Sequence, residues 1–393
     1  MGGMTFTHSC HPDHRATRRR LLRCLVLAAV SISLGFSPTT ARAVERNVCR
    51  GFSATDLDAL FAGRVGDVVG GDYVRAFRLP TGNTLFIYQD AFLARSSRRE
   101  VTNLAKARFV HNAAVLVDSG GCVVRTVSGS RGFLGGSRTR PLRRWFWAMG
   151  GDMGVDGRLH VMVVEMRNPN RTGAALGALP VATWQAIIDP NSLAVVSFRP
   201  ATDPSADLFG WSVTSDDSFT YLYAHCYRQF VPGTMLGHDP QCAGVVHVAR
   251  VPKGQFDAPL EYFDGSGWVA DPTVAAPLPF PGERVVNPVS VQYLGGQFVA
   301  ASKEGDWWGS TIYIDTAPTA VGPWTTVSTL VPSVKCEQCN TYFASLMPWR
   351  GPAGELVIGL SNNAWDMRKV AFPNPWIYRP SFLGVTSNPQ HRR

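Results

Sequence analysis

The chain has 393 residues with 45% apolar, 11% aromatic and 17% charged side chains. That excludes a disordered chain and supplies a large core. The net charge of +9 is inflated by residues 1–43, which hold six arginines and one acid. Removing them leaves 32 basic and 28 acidic residues without a basic stripe, so a dedicated nucleic-acid binder is excluded.

In chain order the first element is an address label. Thr17-Arg18-Arg19-Arg20-Leu21-Leu22-Arg23 fits the twin-arginine export pattern, and an apolar run from Cys24 to Phe36 follows. That run is too short to cross about 30 Å of hydrocarbon and reads as a signal h-region. Ala41-Arg42-Ala43 supplies the small-x-small cleavage site, so residues 1–43 are expected to be a signal peptide and residues 44–393 the mature domain. No later run reaches 18 apolar residues, so no membrane span is expected in the mature chain. Cys24 lacks the preceding small residue of a lipoprotein box. The expected location is extracytoplasmic, in the periplasm or cell wall or secreted.

Six cysteines stay in the mature chain: Cys49, Cys122, Cys226, Cys242, Cys336 and Cys339. In an oxidising compartment an even set reads as disulfides. Proximity pairs Cys226 with Cys242 and Cys336 with Cys339, leaving Cys49 with Cys122. The Cys-x-x-Cys spacing has no second pair or histidine pair to complete a zinc site.

After a short amphipathic helix at Thr55–Phe61, the sequence reads as strands. Asp72–Leu79 and Thr84–Asp90 flank the turn Pro80-Thr81-Gly82-Asn83. Further hairpins flank Asp118–Gly121, Asp156-Gly157, Gly295-Gly296 and Gly351–Gly354. Groups of three or four strands begin near Asp72, Trp145, Trp211, Val289 and Tyr342. This radial repetition predicts an all-β fold, a five-bladed β-propeller in a single domain.

In a propeller the start of each innermost strand lies near the central channel. The residues there are Asp72, the stretch Trp147 to Asp152, Trp211, Ser290 and Tyr342, with His111 and Asn112 arriving on a later strand. Carboxylates with aromatic faces suit acid–base work on a hydroxylated ligand. Asp72 and Asp90 lie at the open end of one hairpin, and the parity of the turn decides whether they share a face. Aspartate is depleted in strands, so two at one mouth need a reason. Strand capping or Asx-turns are the plainer reason. Trp307-Trp308 offers a sugar platform or blade packing. No Gly-x-Ser-x-Gly and no phosphate-cradling loop is present.

Several stretches together resemble the endo-D-arabinofuranases, a propeller family of actinobacterial cell-wall enzymes once known only as a domain of unknown function. Gly70-Gly71-Asp72, Leu79-Pro80-Thr81-Gly82-Asn83 and Tyr88-Gln89-Asp90-Ala91-Phe92 are similar to its opening motif. His111-Asn112-Ala113-Ala114 resembles the segment that follows. Val248-Ala249-Arg250-Val251-Pro252 with Tyr262 to Trp268, and Ala317 to Trp324, resemble later blades. The resemblance implies that Asp72 and Asp90 are the catalytic acids and that the partner is a cell-wall polysaccharide of the arabinogalactan or lipoarabinomannan type, cut internally. The expected substrate-binding residues are His111, Asn112, Trp147, Asp152, Trp211, Ser290 and Tyr342. No cofactor and no catalytic metal are expected, a structural calcium in the channel is left open, and the chain is expected to be a monomer. Gln89 and Ala91 replace the usual glycine and threonine, which opens a second reading: a catalytically inactive glycan-binding propeller.

Overall fold

A computed structural model describes residues 49–96, 100–129, 132–134, 144–167, 179–201, 207–225, 245–282, 288–304 and 309–386. The expected signal peptide, the Cys226–Cys242 pair and Trp307-Trp308 lie outside these residues. Among the described residues twenty-one strands form five antiparallel sheets. Blade 1 holds β1 (Val68–Gly71), β2 (Arg75–Arg78), β3 (Thr84–Leu93), β4 (Arg108–Val117) and β5 (Val123–Val127). Blade 2 holds β6 (Arg144–Met153), β7 (Leu159–Arg167), β8 (Leu179–Ile188) and β9 (Val195–Pro200). Blade 3 holds β10 (Ser212–Ser215), β11 (Phe219–Tyr223), β12 (Val248–Pro252), β13 (Glu261–Phe263) and β14 (Trp268–Val269). Blade 4 holds β15 (Val289–Tyr293), β16 (Phe298–Lys303), β17 (Ile312–Ala317) and β18 (Thr325–Leu330). Blade 5 holds β19 (Cys339–Arg350), β20 (Leu356–Ala364) and β21 (Ser381–Val385).

Successive strands pair antiparallel in each sheet, except that in blade 1 both β1 and β2 pair with β3. The first strands touch in a closed circuit: β2 meets β6, β6 meets β10, β10 meets β15, β15 meets β19, and β19 returns to β2. That circuit is the ring of a five-bladed propeller, and it bears out the expected fold.

Apolar layers between blades hold the ring. Leu85, Ile87 and Ala114 of blade 1 pack on Ala148, Val161 and Val163 of blade 2, all essentially without solvent contact. Tyr223, Val248, Val289, Val291 and Ala300 fill the next seam but one. Fully burying one such large side chain contributes roughly 1.5–3 kcal/mol, so these layers outweigh any single polar contact.

Hydroxyls on the innermost strands add a polar suture. Ser212 Oγ accepts from Val291 N at 2.9 Å, Thr214 Oγ1 from Tyr293 N at 2.9 Å, and Ser290 Oγ from Leu346 N at 3.0 Å. Each satisfies an amide that would otherwise lack a partner where one blade faces the next.

The ring closes through helix α1 (Ala54–Phe61), one residue longer than expected. Ser53 and Asp56 form a capping box at its start. Its Phe61 ring lies 5.0 Å from Phe382 in β21, and Phe382 N donates to Asp58 Oδ1 at 2.9 Å. The N-terminal helix therefore clasps the last strand. Disulfides Cys49–Cys122 and Cys336–Cys339 form as paired above.

One expected element needs correction. The strand read as Asp72–Leu79 is shorter: only β2, Arg75–Arg78, is strand there, a separate strand β1 precedes it, both pair with β3, and Asp72, Tyr73 and Val74 form the break between them. Tyr73 has a left-handed backbone, φ 50°, which a continuous strand does not allow. Alternation of side chains cannot reveal such a break.

Candidate active site

The break between β1 and β2 builds the site. Gly71 pairs with Ala91 and Arg75 with Ile87, so Asp72 stands directly opposite Asp90. Asp72 N donates to Asp90 O at 3.0 Å, but Asp90 N donates to the Asp72 carboxylate, at Oδ1, also 3.0 Å away. The Asp72 carbonyl takes the neighbouring Gln89 N instead, at 3.1 Å. The ladder thus swaps a backbone acceptor for a side-chain acceptor and draws the two acids together. Tyr73 N is satisfied from the adjoining blade 5 by Ser361 Oγ at 2.8 Å. Gly71 is required here, because a Cβ would sit 2.6 Å from the Tyr88 ring and 2.7 Å from Asp90 O. This explains the Gly-Gly-Asp spelling physically.

Asp72 is 8% exposed. Tyr342 donates its hydroxyl to Asp72 Oδ2 at 2.5 Å, and the Tyr378 hydroxyl also bonds the carboxyl. Burial, followed by the charge of Asp90, raises the Asp72 pKa to about 7 from an ordinary 3.8. The donors Tyr342, Tyr378 and Asp90 N oppose that rise without cancelling it. Burial and the Asp72 charge push both tyrosine hydroxyls well above their usual range, so they remain donors.

Asp90 meets a different set. His111 sits opposite it on β4, with Nδ1 2.7 Å from Asp90 Oδ1. Trp147 on β6 donates Nε1–H to the same oxygen at 3.0 Å. The His111 ring stacks on Trp145 at 4.5 Å with planes 12° apart, which fixes its orientation. Among the described residues no hydrogen bond falls on Asp90 Oδ2. One carboxyl oxygen is held and the other is left for a ligand or water.

Beneath the acids an aromatic layer crosses the channel. The Tyr73 and Phe343 rings stack at 4.7 Å, and Trp211 meets both edge-on at 6.1 and 5.9 Å. Phe343 also has a left-handed backbone, φ 48°, at a register shift in β19. The two departures from strand geometry turn both rings toward the axis.

A family model described as a domain of unknown function, DUF5005, matches residues 55–388. The chain belongs to that family. None of the curated proteins matches it. Among solved structures it is similar to a "putative hydrolase" from Bacteroides ovatus ATCC 8483, with 17% identity, 84% of this chain and 89% of that chain covered, and a TM-score of 0.60. It is also similar to a GH43_1 enzyme from Xanthomonas citri complexed with xylose, with 14% identity, 85% and 93% covered, and a TM-score of 0.46. A third is CoXyl43, a GH43 β-xylosidase/α-arabinofuranosidase from a compost metagenome, with 12% identity, 83% and 93% covered, and a TM-score of 0.44. The first likeness supports the propeller fold.

In this DUF5005 member Asp72, Asp90, His111, Trp147 and Tyr342 come together as one hydrogen-bonded group. The other four residues expected in the site do not join it. Asn112, with φ 74°, is fully buried; its amide donates to Phe146 O at 2.8 Å and accepts from Leu134 N at 2.7 Å. It ties blade 1 to blade 2 instead of facing a ligand. Trp211 lies in the aromatic layer. Ser290 is a suture residue, and Asp152 accepts from Ser215 Oγ at 2.6 Å further along the channel. Gln89 does not crowd Asp90: its amide donates to Ala148 O at 2.9 Å, bridging to β6. Ala91 is buried in the apolar cluster with Val68, Phe86 and Leu93, so a threonine hydroxyl there would meet hydrocarbon.

Tyr378 was missed. It arrives on a 3-10 turn, Pro375–Tyr378, some 300 residues from its partner, and no spacing marks it. Two cavities, of about 230 and 210 Å3, lie away from the acids, one further along the channel and one lined by Met162, Phe209, Leu222 and Phe256. The convergence of polar groups on the carboxylates, not cavity size, marks the site. Among the described residues no group of three or more His, Cys, Asp or Glu side chains gathers to hold a metal.

Proposed function

We propose that this protein is a glycoside hydrolase acting on arabinofuranosyl linkages of a cell-wall arabinan, exported through the segment 1–43 and working outside the cytoplasm. The carrying observation is the pair of facing carboxyls in unlike environments: Asp72 is buried and raised to about 7, and Asp90 is held by two ring nitrogens. Such divergence separates an acid from a base or nucleophile. Asp72 gives its proton to the leaving glycosidic oxygen. Asp90, through Oδ2, activates water or attacks the anomeric carbon. Trp147 and His111 orient Asp90, and Tyr342 orients Asp72.

The arabinan substrate rests on the resemblance of the opening motif to endo-D-arabinofuranases. The hydrolase name of the Bacteroides protein of similar fold agrees with the reaction class. The two disulfides agree with an oxidising compartment. The test is to incubate the purified protein with arabinogalactan and follow products by mass. A ladder of oligoarabinosides, absent with Asp72→Asn and Asp90→Asn, supports the reading. Intact polymer overturns it.

One observation favours a second reading, a glycan-binding propeller without catalysis. Both oxygens of Asp72 already accept internal donors. Polymer binding that survives both asparagine substitutions, with no cleavage by the parent, supports that alternative.

A further inference from the structure

The cavity of about 230 Å3 lies beyond the aromatic layer, among residues later in each innermost strand than those of the acid site. Arg75 follows Asp72 by three residues, Asp152 follows Trp147, and Ser345 follows Tyr342. Arg75 is 5% exposed and lines this cavity. Its guanidinium carbon stands 5.1 Å from the Trp211 ring centre and 4.9 Å from that of Phe343. The aromatic faces take one side of the cation. Nε and Nη2 are buried and have no hydrogen-bond partner among the described residues. A buried cation without a counter-charge is costly, so this arrangement asks for a ligand.

The lining says which ligand. Arg78 also borders the cavity, which gives two cations against one carboxylate, Asp152. That carboxylate is already engaged by Ser215 Oγ and by Met153 N. Thr214 and Ser290 each accept one backbone amide of the next blade, and among the described residues neither hydroxyl donates to another group. The cavity is therefore bordered by the unpartnered Arg75 guanidinium and by hydroxyls whose hydrogens are not engaged among the described residues.

We propose that the channel beyond the aromatic layer binds a small monovalent anion of the chloride class, held by Arg75 with the Thr214 and Ser290 hydroxyls. The anion neutralises Arg75 at the point where all five innermost strands converge, so it acts as a pin for the ring. The site is independent of the glycosidase reading. It also gives the channel a polarity opposite to that of a calcium site.

Two measurements on the purified protein test this. Crystals soaked in sodium bromide are expected to show an anomalous peak in the cavity against Arg75. Bromide found only on the outer surface, or no peak, overturns the proposal. Thermal unfolding at constant ionic strength, with gluconate replaced by chloride, is expected to raise the midpoint by a few degrees and to saturate. Arg75→Gln is expected to abolish that rise. The same rise in Arg75→Gln overturns the assignment. Should that variant not fold, the bromide peak in the parent decides alone.

Discussion

The amide of Asp90 donates to the Asp72 carboxylate, while the amide of Asp72 donates to the Asp90 carbonyl. This reciprocal pair makes the backbone itself hold one acid against the other. It also makes Asp72 the member whose protonation is coupled to burial and to the charge opposite.

The first prediction concerns pH and stability. The Asp72 carboxyl titrates near 3.8 when unfolded and about 7 when folded. A raised carboxyl binds its proton more tightly in the folded state. Its contribution is therefore fully present below about pH 4 and is lost as pH rises through about 7. Asp72→Asn carries no such proton. Its unfolding midpoint should lack the decline that the parent shows between pH 4 and 7, and an equal decline in both proteins would remove Asp72 as the cause.

The same group should set the basic limb of activity. With Asp72 as proton donor, kcat/KM falls above about pH 7. Tyr342→Phe removes a hydroxyl that stabilises the charged form, so Asp72 should keep its proton to higher pH. A pH–rate profile on oligoarabinosides is expected to show the basic limb moved upward in Tyr342→Phe. A downward movement would mean that Tyr342 does not donate to Asp72.

Trp147 tests the orientation of Asp90. Trp147→Phe keeps a ring but deletes the N–H that reaches Oδ1. A hydrogen bond to a charged group contributes about 1.5–3 kcal/mol, which corresponds to roughly 10–100-fold in rate. The loss is expected mainly in kcat, with the folded structure unchanged by circular dichroism. A pure KM effect would instead assign Trp147 to sugar stacking.

Much of this was legible in the sequence because it depends on local spelling. Turn residues between apolar runs mark the hairpins, and their grouping marks five blades. Asp72, Asp90, His111, Trp147 and Tyr342 stand out as polar or aromatic residues at the mouths of strands. What was not legible depends on contacts between neighbouring blades. Tyr378 reaches Asp72 from the last blade, and Asn112 turns away from the site because its left-handed backbone points its amide at β6. Arg75 reads as an ordinary strand residue until the fold brings the rings of Trp211 and Phe343 over it. Alternation cannot foresee a bend, and it is the bends that separate the acid site from the cavity beyond.

The glycine before Asp72 offers a last prediction, which separates packing from chemistry. Gly71→Ala puts a methyl group 2.6 Å from the Tyr88 ring and 2.7 Å from Asp90 O. Tyr88 is fully buried and the Asp90 carbonyl is fixed by Asp72 N, so neither yields without moving the acid pair. Overpacking of this kind costs roughly 1–3 kcal/mol. The substitution is expected to lower the unfolding midpoint and to reduce kcat together, since the displaced strand carries Asp72. Gly82→Ala provides the control. That residue, unlike Gly71, has positive φ, 82°, but its nearest neighbour is a side-chain atom of Ser119 at 3.9 Å, so the variant should lose some stability through backbone strain and keep full activity. Equal activity loss in both variants would show that the Gly71 effect is not transmitted through the acid pair.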